Sequence, residues 1–171
     1  MGKITFVLGG ARSGKSSFAL ELAKKYKKTA FVATCRGLDE EMRQRIKKHR
    51  LARPRNWVTF EEDKDIVTVI EKMQGGFDCI IIDCLTLWVS NLLLSKNREE
   101  KIGRLTAEML AVLRKKKARV ILVSNEVGLG LVPANKIGRQ FRDIAGRVNQ
   151  MTAKEADEVF FTVSGIPVKI K

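Results

Sequence analysis

Gly9, Gly14, Lys15 and Ser16 fill the pattern G-x-x-x-x-G-K-[ST] within Gly9-Gly10-Ala11-Arg12-Ser13-Gly14-Lys15-Ser16, a spacing suited to holding nucleotide phosphates. Glycines let the backbone curl until successive N–H groups point at one spot, and the helix that follows adds positive potential at its N-terminus. Lys15 then reaches toward the outer phosphates, and Ser16 is placed to hold magnesium beside them. The flanking sequence fits: Ile4 to Leu8 is an apolar β-like run, and Ser17 to Tyr26 has helical spacing, with Phe18, Leu22 and Tyr26 four residues apart.

Three further residues have chemistry to offer. Asp83 closes the apolar run Cys79-Ile80-Ile81-Ile82. A carboxylate at the end of such a strand suits magnesium beside a phosphate loop, directly or through water, because the hard cation takes oxygen ligands. The alternative is a cap for the next helix, and one aspartate can do both. Glu126 reaches the same edge from the next strand and is a second candidate for substrate or metal contact. His49 is the only histidine, on a stripe with Met42, Ile46 and Arg53 at spacings of three or four. That face should pack inward or over a crevice. The residue reads either as a satisfied core histidine or as a nucleophile; Lys47, Lys48 and Arg50 beside it favour the neutral imidazole that a nucleophile needs.

These residues need a scaffold, and the periodicity supplies one. Thr29 to Thr34 reads as a second strand, and Cys35-Arg36-Gly37 turns the chain into a helix from Asp39 to Arg53, ended by Pro54. Val58 to Glu61 is a short strand and Asp63 to Gln74 a helix with Ile66, Val69, Ile70 and Met73 on one face, stopped by Gly75-Gly76. Helices over Leu85 to Ser95 and Glu99 to Lys117 precede a strand at Val120 to Val123 and a glycine-bearing loop, Asn125 to Gly130. A long helix, Asn135 to Ala156, leads to a last strand pair, Glu158 to Val163 and Val168 to Ile170, around Ser164-Gly165. Continuous apolar strands such as Cys79 to Ile82 are buried on both faces. Strands alternating with helices therefore imply a mostly parallel α/β sheet flanked by helices, with an antiparallel strand pair at the C-terminus. In such sheets ligands sit beyond the carboxyl ends of the strands, so the loops after Leu8, Thr34, Ile82 and Val123 should meet at one crevice.

The 171 residues fit one domain, 1–171, with no repeat, linker or low-complexity segment, and are enough to bury about two-thirds of the unfolded surface. Cys35, Cys79 and Cys84 are an odd number without metal spacing and read as reduced thiols. No charged-then-apolar leader precedes Ile4, and the oily stretch Leu85 to Leu94 is too short to span a bilayer, so a cytoplasmic protein is expected. The net charge of +14 raises the question of nucleic acid. Its positives are scattered (Lys24, Lys25, Lys27, Lys28; Lys47, Lys48; Arg114 to Lys117) without interleaved aromatics, the pattern of a solvated surface rather than of a base-stacking one.

Beyond the phosphate loop, Ala33-Thr34, Asp39-Glu40-Glu41-Met42, Arg45-Ile46 through His49, Arg53-Pro54 and Trp57 resemble the bifunctional adenosylcobinamide kinase / adenosylcobinamide-phosphate guanylyltransferase family of cobalamin synthesis. The likeness continues through Asn91-Leu92-Leu93, Ser124 to Gly128, Val132-Pro133, Phe141 to Gln150, Val163-Ser164-Gly165 and Val168 to Lys171, covering nearly the whole chain. It implies a P-loop fold of RecA-like type, phosphorylation of the aminopropanol hydroxyl of adenosylcobinamide, and transfer of GMP from GTP through a covalent histidine. His49 matches the family's guanylylated histidine, and Lys15 is its partner in catalysis. By the same matching Gly9, Gly10, Ala11, Arg12, Ser13, Gly14, Lys15 and Ser16 would hold nucleotide phosphates. Ala33, Thr34, Cys35, Arg50, Leu51, Ala52, Arg53, Glu61 and Asp83 would line the GTP site. The resemblance further implies ATP and GTP as substrates, Mg2+ at Ser16 and Asp83, adenosylcobinamide and its phosphate as acceptors, and a homo-oligomer, a trimer. The family often has two adjacent histidines where this chain has Lys48-His49, so one nucleophile is left.

The reading is thus a nucleotide-dependent transferase that inserts in no membrane and binds no nucleic acid. Two rivals stay open: a P-loop small-molecule kinase without guanylyl transfer, which would never carry covalent GMP, and a basic nucleic-acid-binding P-loop NTPase, whose NTP hydrolysis DNA or RNA would stimulate.

Overall fold

A computed structural model describes residues 2–37, 39–74 and 76–171, with the side chain of Arg45 left aside. Gly75 of the expected Gly75-Gly76 stop and the Arg45 side chain of the quoted Arg45-Ile46 pair lie outside the described residues. The elements run β1 (Ile4–Gly9), α1 (Lys15–Ala23), β2 (Thr29–Ala33), α2 (Glu40–Leu51), β3 (Val58–Glu61), α3 (Ile66–Lys72), β4 (Cys79–Asp83), α4 (Leu85–Leu94), α5 (Glu99–Lys115), β5 (Arg119–Asn125), α6 (Lys136–Glu155), β6 (Glu158–Val163) and β7 (Ile166–Lys169).

The strands form one sheet in the order β3-β2-β4-β5-β1-β6-β7. All pairs are parallel except the antiparallel β6–β7 hairpin. Every residue of β1 is buried, as is Cys79 to Ile82 of β4, the burial on both faces that their uninterrupted apolar sequence requires. Successive side chains take opposite faces. Ile4, Phe6, Ile80, Ile82 and Leu122 join the larger core under α3, α4, α5 and α6. Val7, Phe31, Ile81, Ile121 and Val123 join a smaller core with Ala19 and Ala23 of α1. Each fully buried Ile, Leu or Phe is worth about 1.5–3 kcal/mol, which fixes the register and with it the residues at the strand ends.

Three details refine the sequence reading. In α1 the inward face is Lys15, Ala19 and Ala23, while Phe18 and Leu22 are half-buried along its flank and Tyr26, also half-buried, lies beyond its end. Small residues bring the helix close to the sheet, and Phe18 meets Phe160 edge to face at 5.1 Å. The last strand begins at Ile166 rather than Val168 because Ser164 (φ 50°) and Gly165 (φ 85°) complete a tight turn. Pro167 fits this edge strand, whose outer side asks for no ladder N–H. Finally, none of the described side chains of α2 is buried. Asp39 caps the helix by accepting from Met42 N at 2.7 Å, and the stripe Met42, Ile46, His49 turns to a cavity instead of the core.

Candidate active site

The loop after β1 closes on itself and on the C-terminal hairpin. Ser13 N donates to Gly10 O (3.3 Å), Phe18 N to Gly14 O (3.0 Å) and Gly165 N to Ser13 O (2.9 Å). Gly14 caps α1 at φ 91°, where a side chain would be strained and its Cβ would lie 3.0 Å from Gly165 Cα. At Gly9 a Cβ would come within 2.7 Å of Thr162 O. Lys15 is buried and its Nζ donates to Gly10 O at 3.0 Å, across the mouth of the loop.

Two cavities adjoin this loop. The first, about 370 Å³, is walled by β2 and β4 ends and by α2, among them Phe31, Ala33, Cys35, Met42, Ile46, Arg50, Arg53, Glu61, Asp83, Cys84, Leu87 and Asn125. The second, about 700 Å³, lies between the loop, Arg12 to Ser17, and Glu41, Gln44, Lys47, Lys48 and Leu51 of α2. Lys15, Ser16 and His49 line both. His49 therefore stands on the far side of the phosphate loop's opening, half-buried, on the last turn of α2.

Most sequence candidates converge here, and a few have other tasks. Asp83 ends β4 beside Ala33 and Val123. The cap of α4 is Cys84, without a side-chain cap bond, so the Asp83 carboxylate is left to the cavity. Thr34 is fully buried and braces the strand ends: its hydroxyl donates to Cys84 O (2.7 Å) and accepts from Cys84 N (2.8 Å). Ala52 is exposed and lines neither cavity; Leu51 borders only the larger one. Glu126 accepts from Gly128 N at 2.8 Å and also lines neither.

Residues the sequence reading passed over include Phe31 and Asn125. The Arg53 guanidinium lies 3.5 Å from the centre of the Phe31 ring, a stacked cation. Burial pulls this guanidinium below its ordinary value, against Asp83 and Glu61, while Arg50 pushes the same way as burial. Asn125 ends β5, and its Oδ1 is buried without a hydrogen-bond partner among the described residues. Its place at a carboxyl strand end was the available signal. Burial, aided by Asp83, pushes the Cys84 thiol up to about 12. That thiol stays protonated and is a poor nucleophile.

Among the described residues no group of three or more His, Cys, Asp or Glu could hold a metal ion. Magnesium asks for less, one or two protein oxygens completed by phosphates and water; Ser16 and Asp83, which both line the smaller cavity, are the residues that could hold it. Among the described residues no helix is long and apolar enough to cross a membrane.

A mostly parallel sheet, a glycine-rich loop opening a helix after β1 and a carboxylate at the carboxyl end of β4, one strand removed from β1, define a P-loop nucleotide-binding protein. The RadB recombinase structure superposes with a TM-score of 0.54 at 19% identity, covering 93% of this chain and 73% of that one. A type III secretion ATPase gives 0.53 at 12%, covering 94% of this chain and 51% of its own. These likenesses show the fold alone. The family described as cobinamide kinase / cobinamide phosphate guanyltransferase matches residues 5–170. The bifunctional adenosylcobalamin biosynthesis protein CobU of Salmonella typhimurium is 42% identical over 177 residues, covering 96% of this chain and 98% of its own. CobP of Pseudomonas aeruginosa, of the same description, is 40% identical over 96% of this chain and 95% of its own. The chain belongs to the cobinamide kinase / cobinamide phosphate guanyltransferase family.

Proposed function

We propose that residues 1–171 form one domain that phosphorylates adenosylcobinamide and then joins GMP to the product, in adenosylcobalamin biosynthesis. In the first reaction the acceptor hydroxyl attacks the γ-phosphorus of ATP or GTP held on Gly9 to Ser16. In the second, a His49 ring nitrogen attacks the α-phosphorus of GTP, pyrophosphate leaves, and the histidine-bound GMP passes to adenosylcobinamide phosphate. Lys15 and Arg12 spread the charge that develops on the phosphoryl oxygens, since such transfers depend mainly on positioning and electrostatics. Magnesium bound by Ser16, with Asp83 directly or through water, would supply neutralisation of the phosphate oxygens. Ala33, Cys35, Arg53 and Glu61 line the nucleoside's cavity. The reading includes a cytoplasmic homotrimer that works without nucleic acid; added DNA should leave the transferase rates unchanged.

The observation that carries the proposal is that His49 shares both cavities with Lys15 and Ser16, which puts a nucleophile opposite a phosphate loop. Protein mixed with GTP and magnesium should gain one GMP by intact mass, lost in mild acid and stable to base, as a phosphorus–imidazole bond is. His49→Ala should bind nucleotide without gaining it. A GMP increment on His49→Ala, or none on wild-type protein that still makes the GDP-corrinoid, would refute the mechanism.

A further inference from the structure

We infer that the larger cavity, between the phosphate loop and the outer face of α2, receives the phosphate monoester of the acceptor, and that this phosphate occupies the place pyrophosphate has left. The inference rests on the guanylyl-histidine proposed above and adds where its second substrate must bind.

Chemistry sets the first constraint. In each displacement at phosphorus the entering and leaving groups lie roughly in line. When the imidazole enters, pyrophosphate departs from the opposite side of the α-phosphorus. When the imidazole leaves, the acceptor phosphate must enter opposite it, on the side pyrophosphate vacated. An acceptor oxygen then forms the new P–O–P bond as the P–N bond breaks. The bonding pair returns to the ring nitrogen, the other ring nitrogen keeps its proton throughout, and His49 ends neutral. Opposite His49, across the space both line, lie Lys15 and Ser16.

The walls set the second. The smaller cavity carries Phe31, Met42, Ile46 and Leu87, surfaces fit for a nucleoside. The larger carries Arg12, Lys47 and Lys48 against the single carboxylate of Glu41, and at about 700 Å³ is the roomier. A phosphate monoester is nearly a dianion at pH 7, and a bulky acceptor needs the open side. Lys47 and Lys48 are exposed on α2, so their side chains can reach such a phosphate without leaving any packed core.

The test uses wild-type protein loaded with GMP from GTP and freed of pyrophosphate. Transfer to adenosylcobinamide phosphate is followed at several concentrations of inorganic pyrophosphate. A shared place makes pyrophosphate competitive with the acceptor, its inhibition vanishing at saturating acceptor. Inhibition that persists there, with apparent KM unchanged, overturns the inference. Lys47→Ala/Lys48→Ala should raise acceptor KM and pyrophosphate Ki together by about tenfold, the loss expected of a charge-assisted contact; a rise in neither, or in only one, also overturns it. Wild-type protein that takes up no GMP would refute the covalent reading itself, and that is seen before pyrophosphate is added.

Discussion

Replacing Thr34 with valine tests how the site is braced. The hydroxyl of Thr34 is the partner of Cys84 N at 2.8 Å and donates to Cys84 O at 2.7 Å. Valine nearly keeps the shape and removes both bonds. Cys84 O retains Trp88 N at 3.2 Å, so it loses one of two partners, about 0.5–1 kcal/mol, while Cys84 N loses its bond with Thr34 and is stranded in a buried setting at about 1–3 kcal/mol. The total, about 1.5–4 kcal/mol, is a large share of a stability that is generally about 5–15 kcal/mol. It corresponds to a drop in Tm of about 3–16 °C for a chain of this size. Urea unfolding measures it, with Thr34→Ser as the control that keeps the oxygen. If Thr34→Val unfolds within about 0.5 kcal/mol of wild type while Thr34→Ser does not exceed it, the hydroxyl bridge is not what holds β2 to β4 at Asp83, and the reasoning fails.

Lys15→Ala should lower both transferase activities by about 10²-fold or more, because a preorganised cation is lost from the developing charge; comparable turnover would sink the phosphate-loop reading. Gly165→Ala forces a side chain at φ 85° and should cost about 1–2 kcal/mol in urea unfolding, with slower turnover because Gly165 N holds Ser13 O; unchanged stability and rate would separate the hairpin from the loop. The hydrogen bond from Lys169, with that from Arg119 and its charge, outweighs burial and holds the Glu158 carboxyl down at about 2. A folded value below the ordinary 4.5 gives stability that is present above pH 4.5 and lost as the pH falls toward 2. The urea midpoint of wild type should therefore fall across that window relative to Glu158→Gln, and parallel profiles would refute the pairing.

The sheet was legible because its signal is local. Runs such as Ile4 to Leu8 and Cys79 to Ile82 can satisfy burial only on both faces of a parallel sheet, and the structure has them at its centre. The face of α1 was not legible. The spacing of Phe18, Leu22 and Tyr26 satisfies the helical period, yet so does that of Lys15, Ala19 and Ala23, and the choice belongs to the distance at which the helix meets the sheet. Large side chains win where there is room; beneath α1 the alanines do. Pro167 likewise argues against a strand by itself, and only its place on an outer edge removes the objection.

The site divides along the same line. The positions of Gly9, Gly14, Lys15, Ser16 and Asp83 could be read from the chain because each depends on neighbours a few residues away or on a strand end. The two readings of Asp83 could not be separated there, since a cap and a cavity ligand share one sequence position; in the structure the cap position belongs to Cys84 and Asp83 lines the smaller cavity. For His49 the deciding fact is still less local. Its stripe with Met42 and Ile46 looks the same whether the helix covers a core or a crevice. What distinguishes them is that α2 buries none of its described side chains, so burial supplies little reason to keep its apolar stripe. A helix held at one end by Asp39 and facing a cavity with its other turn has its stripe turned to whatever enters, and of Met42, Ile46 and His49 only the imidazole can form a bond with phosphorus and release it again.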